Sequence, residues 1–307
     1  MISFSTCWNT RRHMDGRALL NEIRELGFEY AELGHGTRLS LVDGIQKAVA
    51  AGEIKISSLH NFCPLPVGVI HPAPDYYKPS STSNDERERA VKHTVRTLEF
   101  AATLGAPVVV LHLGEVKMRD YSTKLMKLFV KGQVATPKFE RIRTKAITKR
   151  IDKRQKYFDQ VCRSLDEIVP KAREFKVRLG VETRDAIEDI PTEDEVGELI
   201  ARYGKDVVGY WHDIGHAQVK ENFGLTRHEV LLERYRGRTW GMHLQDFAPP
   251  AFDHLPPGFG TFDFPRLAPF VTQEMVLVWE LSPRWEIEQV RQTCHKAAEM
   301  LRNPASA

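Results

Sequence analysis

Cysteine is scarce in this 307-residue chain: Cys7, Cys63, Cys162 and Cys294 are widely scattered, and no two form a C-x-x-C pair. That spacing excludes a disulfide framework and a zinc ribbon. No run approaches the roughly 18 consecutive apolar residues of a membrane-spanning helix, so none is expected. The segment Met1–Thr10 has neither the basic stretch nor the long apolar stretch of a secretory signal. It reads as the start of a strand, and a cytoplasmic location is the expectation. No G-x-G-x-x-G follows that strand, which counts against a dinucleotide-binding fold. Internal repeats and low-complexity tracts are absent as well. A large excess of one charge is also missing, since the net charge is only +3.

That small total hides an asymmetry. Between Val116 and Gln160 stand 14 Lys and Arg against 4 Asp and Glu, a local balance of +10, and the rest of the chain carries −7. A basic segment therefore sits on an acidic body. The chain is otherwise that of a globular protein, 42% hydrophobic and 28% charged, long enough for a sizeable core.

Short apolar runs alternate with amphipathic stretches from one end to the other. Strands are predicted at Ile2–Ser5, Tyr30–Leu33, Ile54–Leu59, Pro107–Leu113, Val177–Val181, Val207–Trp211, Thr239–Leu244 and Met275–Leu281. Helical periodicity marks Gly16–Leu26, Leu41–Ala51, Asp85–Leu104, Asp152–Phe175, Thr192–Tyr203, Arg227–Tyr235 and Trp285–Arg302. The acidic pair Glu193 and Asp194 suits a helix N-terminus after Pro191-Thr192. Eight β-then-α units in one chain of this length predict a closed (β/α)8 TIM barrel, a single domain over residues 1–307. The basic stretch 116–150 is an insertion in the connection after the fourth strand. Cys63–Asn84, with five prolines, is expected to be an ordered loop. Specificity is expected to reside in the irregular stretches Cys63–Asn84 and Val116–Lys149, which emerge at the C-terminal mouth where such barrels build their sites.

What closes the strands is the informative pattern. Glu32 ends the second and His60-Asn61 the third; His112 ends the fourth and Glu182 the fifth. His212-Asp213, followed by His216, ends the sixth, with His243 and Asp246 at the seventh and Glu280 at the eighth. In a parallel barrel these ends share one face. Ionisable groups there are costly to bury unless they pair or hold a metal. Any one is readily a satisfied polar residue; the set Glu182, Asp213, His243 and Glu280 is harder to dismiss. Three carboxylates and one imidazole form a hard, oxygen-rich set, suited to Mn²⁺, with Mg²⁺, Co²⁺ or Zn²⁺ as alternatives. Cys63 reads as a spectator thiol. His212 should point into the helix layer by strand alternation, Trp211 into packing, and His35 and His71 to loops or the surface.

These residues resemble a family. Val-Glu182-Thr, Trp-His-Asp213-Ile-Gly-His216-Ala, Met-His243-Leu-Gln-Asp246, Pro257-Gly258-Phe-Gly260 and Trp-Glu280-Leu are similar to motifs of the xylose isomerase-like TIM-barrel superfamily. Within it they resemble the sugar phosphate isomerase/epimerase branch, with its ketose 3-epimerases and inosose isomerases and dehydratases. The resemblance implies a divalent-metal-dependent isomerase or epimerase acting on a sugar, keto-sugar or cyclitol through an enediolate. Glu182, Asp213, His243 and Glu280 would hold one metal ion, and Glu182 and Glu280 would also move the α-proton. His216 and Glu188 would contact substrate. His60, His112 and His254 would orient hydroxyls, and Trp8 would offer a face to the sugar ring. The epimerases carry an Arg six residues after the metal His, where this chain has Pro249, so the particular substrate does not transfer.

Two alternatives stand beside that reading. The same residues would run a dehydratase or lyase if proton abstraction expelled a β-substituent. An AP endonuclease-like phosphodiesterase, from the same superfamily, would draw on His60, His112, Glu182, Asp213, His216, His243, His254 and Glu280, with the basic segment on DNA. Its motif separates an Asp and a His by one residue, whereas Asp253 and His254 are adjacent. Nucleic acid is therefore not the expected partner. A carbohydrate is, with a homodimer or tetramer as the expected assembly. A non-catalytic binding protein is disfavoured by the intact carboxylate set.

Overall fold

The computed structural model describes residues 1–292 and 301. Its elements follow in order: β1 (Ile2–Ser5), α1 (Gly16–Glu25), β2 (Tyr30–Leu33), α2 (Val42–Ala50), β3 (Lys55–His60), α3 (Asn84–Thr103), β4 (Val108–Leu111), α4 (Ser122–Val130), α5 (Pro137–Glu174) and β5 (Arg178–Glu182). Then come α6 (Glu193–Tyr203), β6 (Val208–Asp213), α7 (Ile214–Asn222), α8 (His228–Arg234), β7 (Thr239–Leu244), β8 (Asp246–Ala248), β9 (Phe252–Leu255) and β10 (Val276–Trp279). Residues 287–292 are helical; from 293 the helix expected over Trp285–Arg302 lies outside the described residues, Leu301 apart.

Eight strands close a barrel in the order β1-β10-β7-β6-β5-β4-β3-β2, every neighbour parallel. All C-terminal strand ends therefore meet on one rim, and the seam between β1 and β10 joins the first strand to the last. The (β/α)8 expectation holds. Valines and a tryptophan fill the interior, where Val108, Val110, Trp211, Val276 and Val278 form one buried cluster. Trp211 fits because its neighbours lack side chains: a Cβ at Gly241 would stand 2.3 Å from its ring. A larger core lies between strands and helices, as amphipathic α1 and α3 require. His212 points into that layer, its Nδ1 2.8 Å from the Tyr210 hydroxyl and its Nε2 2.9 Å from His228 Nδ1.

One expectation about the connections needs correction. Val116–Lys149 is not irregular, because α4 and the first third of α5 occupy most of it. The reason is local: Thr136 accepts from the Phe139 N–H, Pro137 opens the helix, and buried Phe139, Ala146 and Arg150 recur along its inner face. Arg150 pairs with Glu195 through two 2.7 Å contacts and donates to the Ile187 and Asp189 carbonyl oxygens, binding α5 to α6. The chain between β7 and β10 also holds the β8–β9 hairpin, which the sequence pattern did not announce.

Candidate metal centre

At the barrel mouth, β5, β6, β7 and the residue after β10 bring Glu182, Asp213, His243 and Glu280 together. One donor atom from each lies within 4.8 Å of the others, and all four residues are buried. His243 Nδ1 stands 2.8 Å from Glu182 Oε1, 3.1 Å from Glu280 Oε2 and 3.5 Å from Asp213 Oδ2. A single ring nitrogen has one proton to offer and cannot satisfy three anions. The arrangement fits a divalent cation, whose charge would answer the carboxylates while Nδ1 gave its lone pair.

The surroundings orient these donors. His243 Nε2 lies 3.3 Å from Glu32 Oε2, so a proton there is held by a buried carboxylate, leaving Nδ1 bare toward the cluster. Ser58 Oγ steadies that carboxylate at 2.8 Å, while Glu32 Oε1 has no partner among the described residues. Asp213 ends β6 and caps α7, accepting from the His216 N–H at 2.7 Å. Gln245, just past the end of β7, donates to both Asp213 oxygens and accepts from the His254 N–H. Asp246 accepts from the Phe247, Gly258, Gly260 and Phe262 N–H groups, tying down the Gly-x-Gly turn. These are supports of the kind that fix ligand geometry.

A second group adjoins the first. His112 Nε2 lies 2.7 Å and His60 Nε2 3.2 Å from Glu182 Oε2, so Glu182 faces two imidazoles on one side and His243 on the other. Burial pushes the Glu182 carboxyl up, but the charges of His112 and His243 overcome it and hold the group well below its ordinary range. Burial and Arg184 pull His112 down, yet Asp75 and Glu182 raise it to about 9. The Arg184 guanidinium lies against the His112 ring and reaches Asp75 at 3.3 Å.

The other site residues divide. His216 Nδ1 donates to the Thr183 carbonyl at 2.8 Å and lies 3.8 Å from Glu182 Oε1, beside the cluster. His254 sits on the β8–β9 hairpin, Nε2 3.9 Å from Glu280 Oε2. Burial lowers it, and Asp253 together with Glu280 and Asp213 outweighs that to bring it up to about 9. Glu188 is elsewhere. Its carboxylate accepts from the Tyr121 N–H at 2.7 Å and from the Ser122 hydroxyl, fastening the basic segment, and it lines a separate cavity with Glu115, Asp185 and Asp189. Trp8 presents no face to a ligand: it is wholly buried against Phe4, with its indole N–H on the Trp285 carbonyl.

His35 corrects the sequence reading in the other direction. It lines the cavity above Glu280, edge-on to His60 with ring centres 4.8 Å apart. A loop position on its own gave no sign of this. Arg184 and Gln245 were legible in principle, since each stands two residues beyond a strand-end ligand.

The chain belongs to the xylose isomerase-like TIM barrel family, whose model matches residues 20–303. Among curated proteins it is similar to an uncharacterised protein, y4fM, of Sinorhizobium fredii (strain NBRC 101917 / NGR234), 24% identical over 262 residues that cover 81% of this chain and 74% of that one. Among solved structures it is similar to an L-ribulose 3-epimerase (TM-score 0.68, 14% identity, 99% of this chain and 96% of that one). It is also similar to a D-tagatose 3-epimerase-like protein (0.65, 15%, 100% and 99%). A 3-keto-D-glucoside 4-epimerase from E. coli compares equally well (0.65, 15%, 98% and 98%). At these identities the likeness is one of fold.

Proposed function

We propose that the protein is a sugar isomerase or epimerase that depends on one divalent metal ion. The observation that carries this reading is the convergence of Glu182, Asp213, Glu280 and His243 at the barrel mouth, where Glu280 also lines a cavity large enough for a sugar. A bound Mn²⁺ would supply Lewis acidity, polarising a sugar carbonyl so that the neighbouring C–H loses its proton more readily. The remaining work falls to the chain. Glu182 and Glu280 take the α-proton from one face and return it to the same or the other carbon or face. His216, its tautomer fixed by Thr183, presents Nε2 to a substrate oxygen. His60 and His112 hold Glu182 in place. His254 flanks Glu280, and burial of the set excludes water that would compete for the proton. If abstraction expelled a β-hydroxyl, the same groups would act as a dehydratase.

A second reading, phosphodiester hydrolysis, rests on the His60–His112–Glu182 group, which offers a further set of metal donors. Metal content separates the two. One ion per chain, lost in Glu182→Gln, accords with the isomerase; two or three ions per chain favour the phosphodiesterase. The decisive experiment for the first reading is deuterium uptake at the α-carbon of ketoses and inososes in heavy water. Uptake that disappears in Glu280→Gln supports it, and a panel with no uptake sinks it.

A further inference from the structure

The cavity above Glu280 has a wall that proton transfer leaves without a task. Its volume is about 490 Å³, and the loops after β1, β2 and β10 line it with Arg11, Arg38 and Arg284. On this side of the barrel Arg12 is paired with Glu22 and Arg17 with Glu53, but no ion pair among the described residues engages Arg11, Arg38 or Arg284. Arg38 gives one terminal nitrogen to the Thr10 and His13 carbonyls, while its buried Nε has no partner among the described residues. His35 Nδ1, in the same wall, is likewise buried and unpartnered among them. Arg284 lies over the Trp285 ring at 5.0 Å, and Arg11 and Arg284 are both exposed. The two carboxylates of the wall are already committed. Asp253 Oδ1 stands 3.2 Å from His254 Nδ1, and Glu280 faces the metal donors.

Guanidinium groups facing a neutral sugar would exchange strong hydration for weak hydroxyl contacts. Against carboxylate or phosphate oxygens they form forked, charge-assisted bonds, roughly twice as strong as neutral ones. A cavity of this volume holds a monosaccharide together with such a group. We infer that the substrate is an anionic sugar, its carboxylate or phosphate seated against Arg11, Arg38 and Arg284 while the reacting carbon faces Glu280. This rests on the isomerase reading and narrows it to acidic sugars. The cations belong to loops after the first, second and last strands, so the anionic group enters opposite the basic segment.

The test is calorimetric binding to the metal-loaded protein of D-fructose, D-fructose 6-phosphate and 5-keto-D-gluconate, at low and moderate salt. At least one anionic sugar should bind about tenfold or more tightly than D-fructose, with an advantage that shrinks as salt rises. Which of the two gains decides between phosphate and carboxylate. The double variant Arg11→Ala, Arg284→Ala should lose the advantage, and Arg11→Lys, Arg284→Lys should keep part of it; both positions are exposed, so the barrel core is untouched. Equal binding of all three sugars, no binding of either anionic sugar up to millimolar concentration, or an advantage that survives the double alanine variant would overturn the inference. Deuterium uptake in the same samples separates the two ideas. Arginine-dependent binding with no uptake by any sugar leaves the anion subsite and removes the isomerase, and uptake with D-fructose under equal binding does the reverse.

Discussion

Glu32 shows how much a single side chain does at this site without touching substrate. It is fully buried, and its Oε2 is the group that faces His243 Nε2. Burial pushes its carboxyl up, but His243, helped by His60 and the Ser58 hydroxyl, outweighs that and holds it below its ordinary value, so the anion is retained. Glu32→Gln keeps the shape and removes the charge that fixes the ring. Metal affinity should fall roughly 10- to 100-fold, as for other lost outer partners of a histidine ligand, while the folded spectrum persists. Competitive titration with a chelating dye measures it, and unchanged affinity would remove Glu32 from the role. The sequence exposed Glu32 as a strand-ending acid without revealing its partner, because β2 and β7 lie far apart in order and meet only across the barrel. The four donors on the later strands were legible because each ends an apolar run. Glu188 and Trp8 were not: a matching position in a motif does not say which neighbour has claimed the side chain, and Ser122 and the core had done so.

At the level of elements, α5 is held less by its many exposed charges than by one buried one. Arg150 meets Glu195, which also closes the N-terminus of α6 by accepting from the Thr192 N–H at 2.8 Å. Arg150→Ala leaves Glu195 buried with only Arg154 to answer it and strips donors from two carbonyls. A loss of about 3 kcal/mol is expected in denaturant unfolding, against under ~1 kcal/mol for the exposed Lys149→Ala. Equal effects would show that the inward arginine is not what joins the two helices. The strands were readable because parallel strands, covered on both faces, must be apolar runs. Helix α5 was cut short at Asp152 because its first half is strongly charged, although Thr136-Pro137 carried the start signal. Helix α7 is not legible because its polar and apolar residues are not sorted onto two faces: Lys220 is buried with Ile214, Gly215, Ala217 and Val219, while His216, Gln218, Glu221 and Asn222 are half-buried.

For the molecule as a whole, buried histidines and the proposed metal tie stability to proton and ion concentrations. His228 is buried against His212, and burial, reinforced by the charge of His212, drives its pKa well below the ordinary value of about 6.5. The folded chain keeps it neutral, so below about pH 6.5 the unfolded chain binds more protons. The His228 contribution is therefore complete above that pH and is lost as pH falls, opposite in sign to that of His112 and His254, whose raised values favour the folded chain below about pH 9. Between about pH 7 and pH 5 the urea midpoint of His228→Gln should gain on that of the wild type as acid is added; a constant difference between the two would remove His228 from the pH dependence. The proposed metal would act through the same kind of linkage. Mn²⁺ at about a hundred times its Kd should stabilise the native state by ~2.7 kcal/mol and raise Tm by several degrees. Asp213→Asn should abolish most of that rise, and a variant that kept it would place the ion elsewhere. No helix among the described residues is long and apolar enough to cross a membrane.

The seam between β1 and β10 has a consequence for how the protein is made. The donors come from the second half of the chain, and Glu280 follows the last strand, which hydrogen-bonds to the first. During synthesis no complete metal nest exists until that final strand has left the ribosome and zipped against an N-terminus made long before. On the proposed reading an ion would therefore join a finished barrel rather than nucleate one. Its identity would follow the metals present where closure happens, since a nest of carboxylates and one imidazole discriminates weakly among divalent ions.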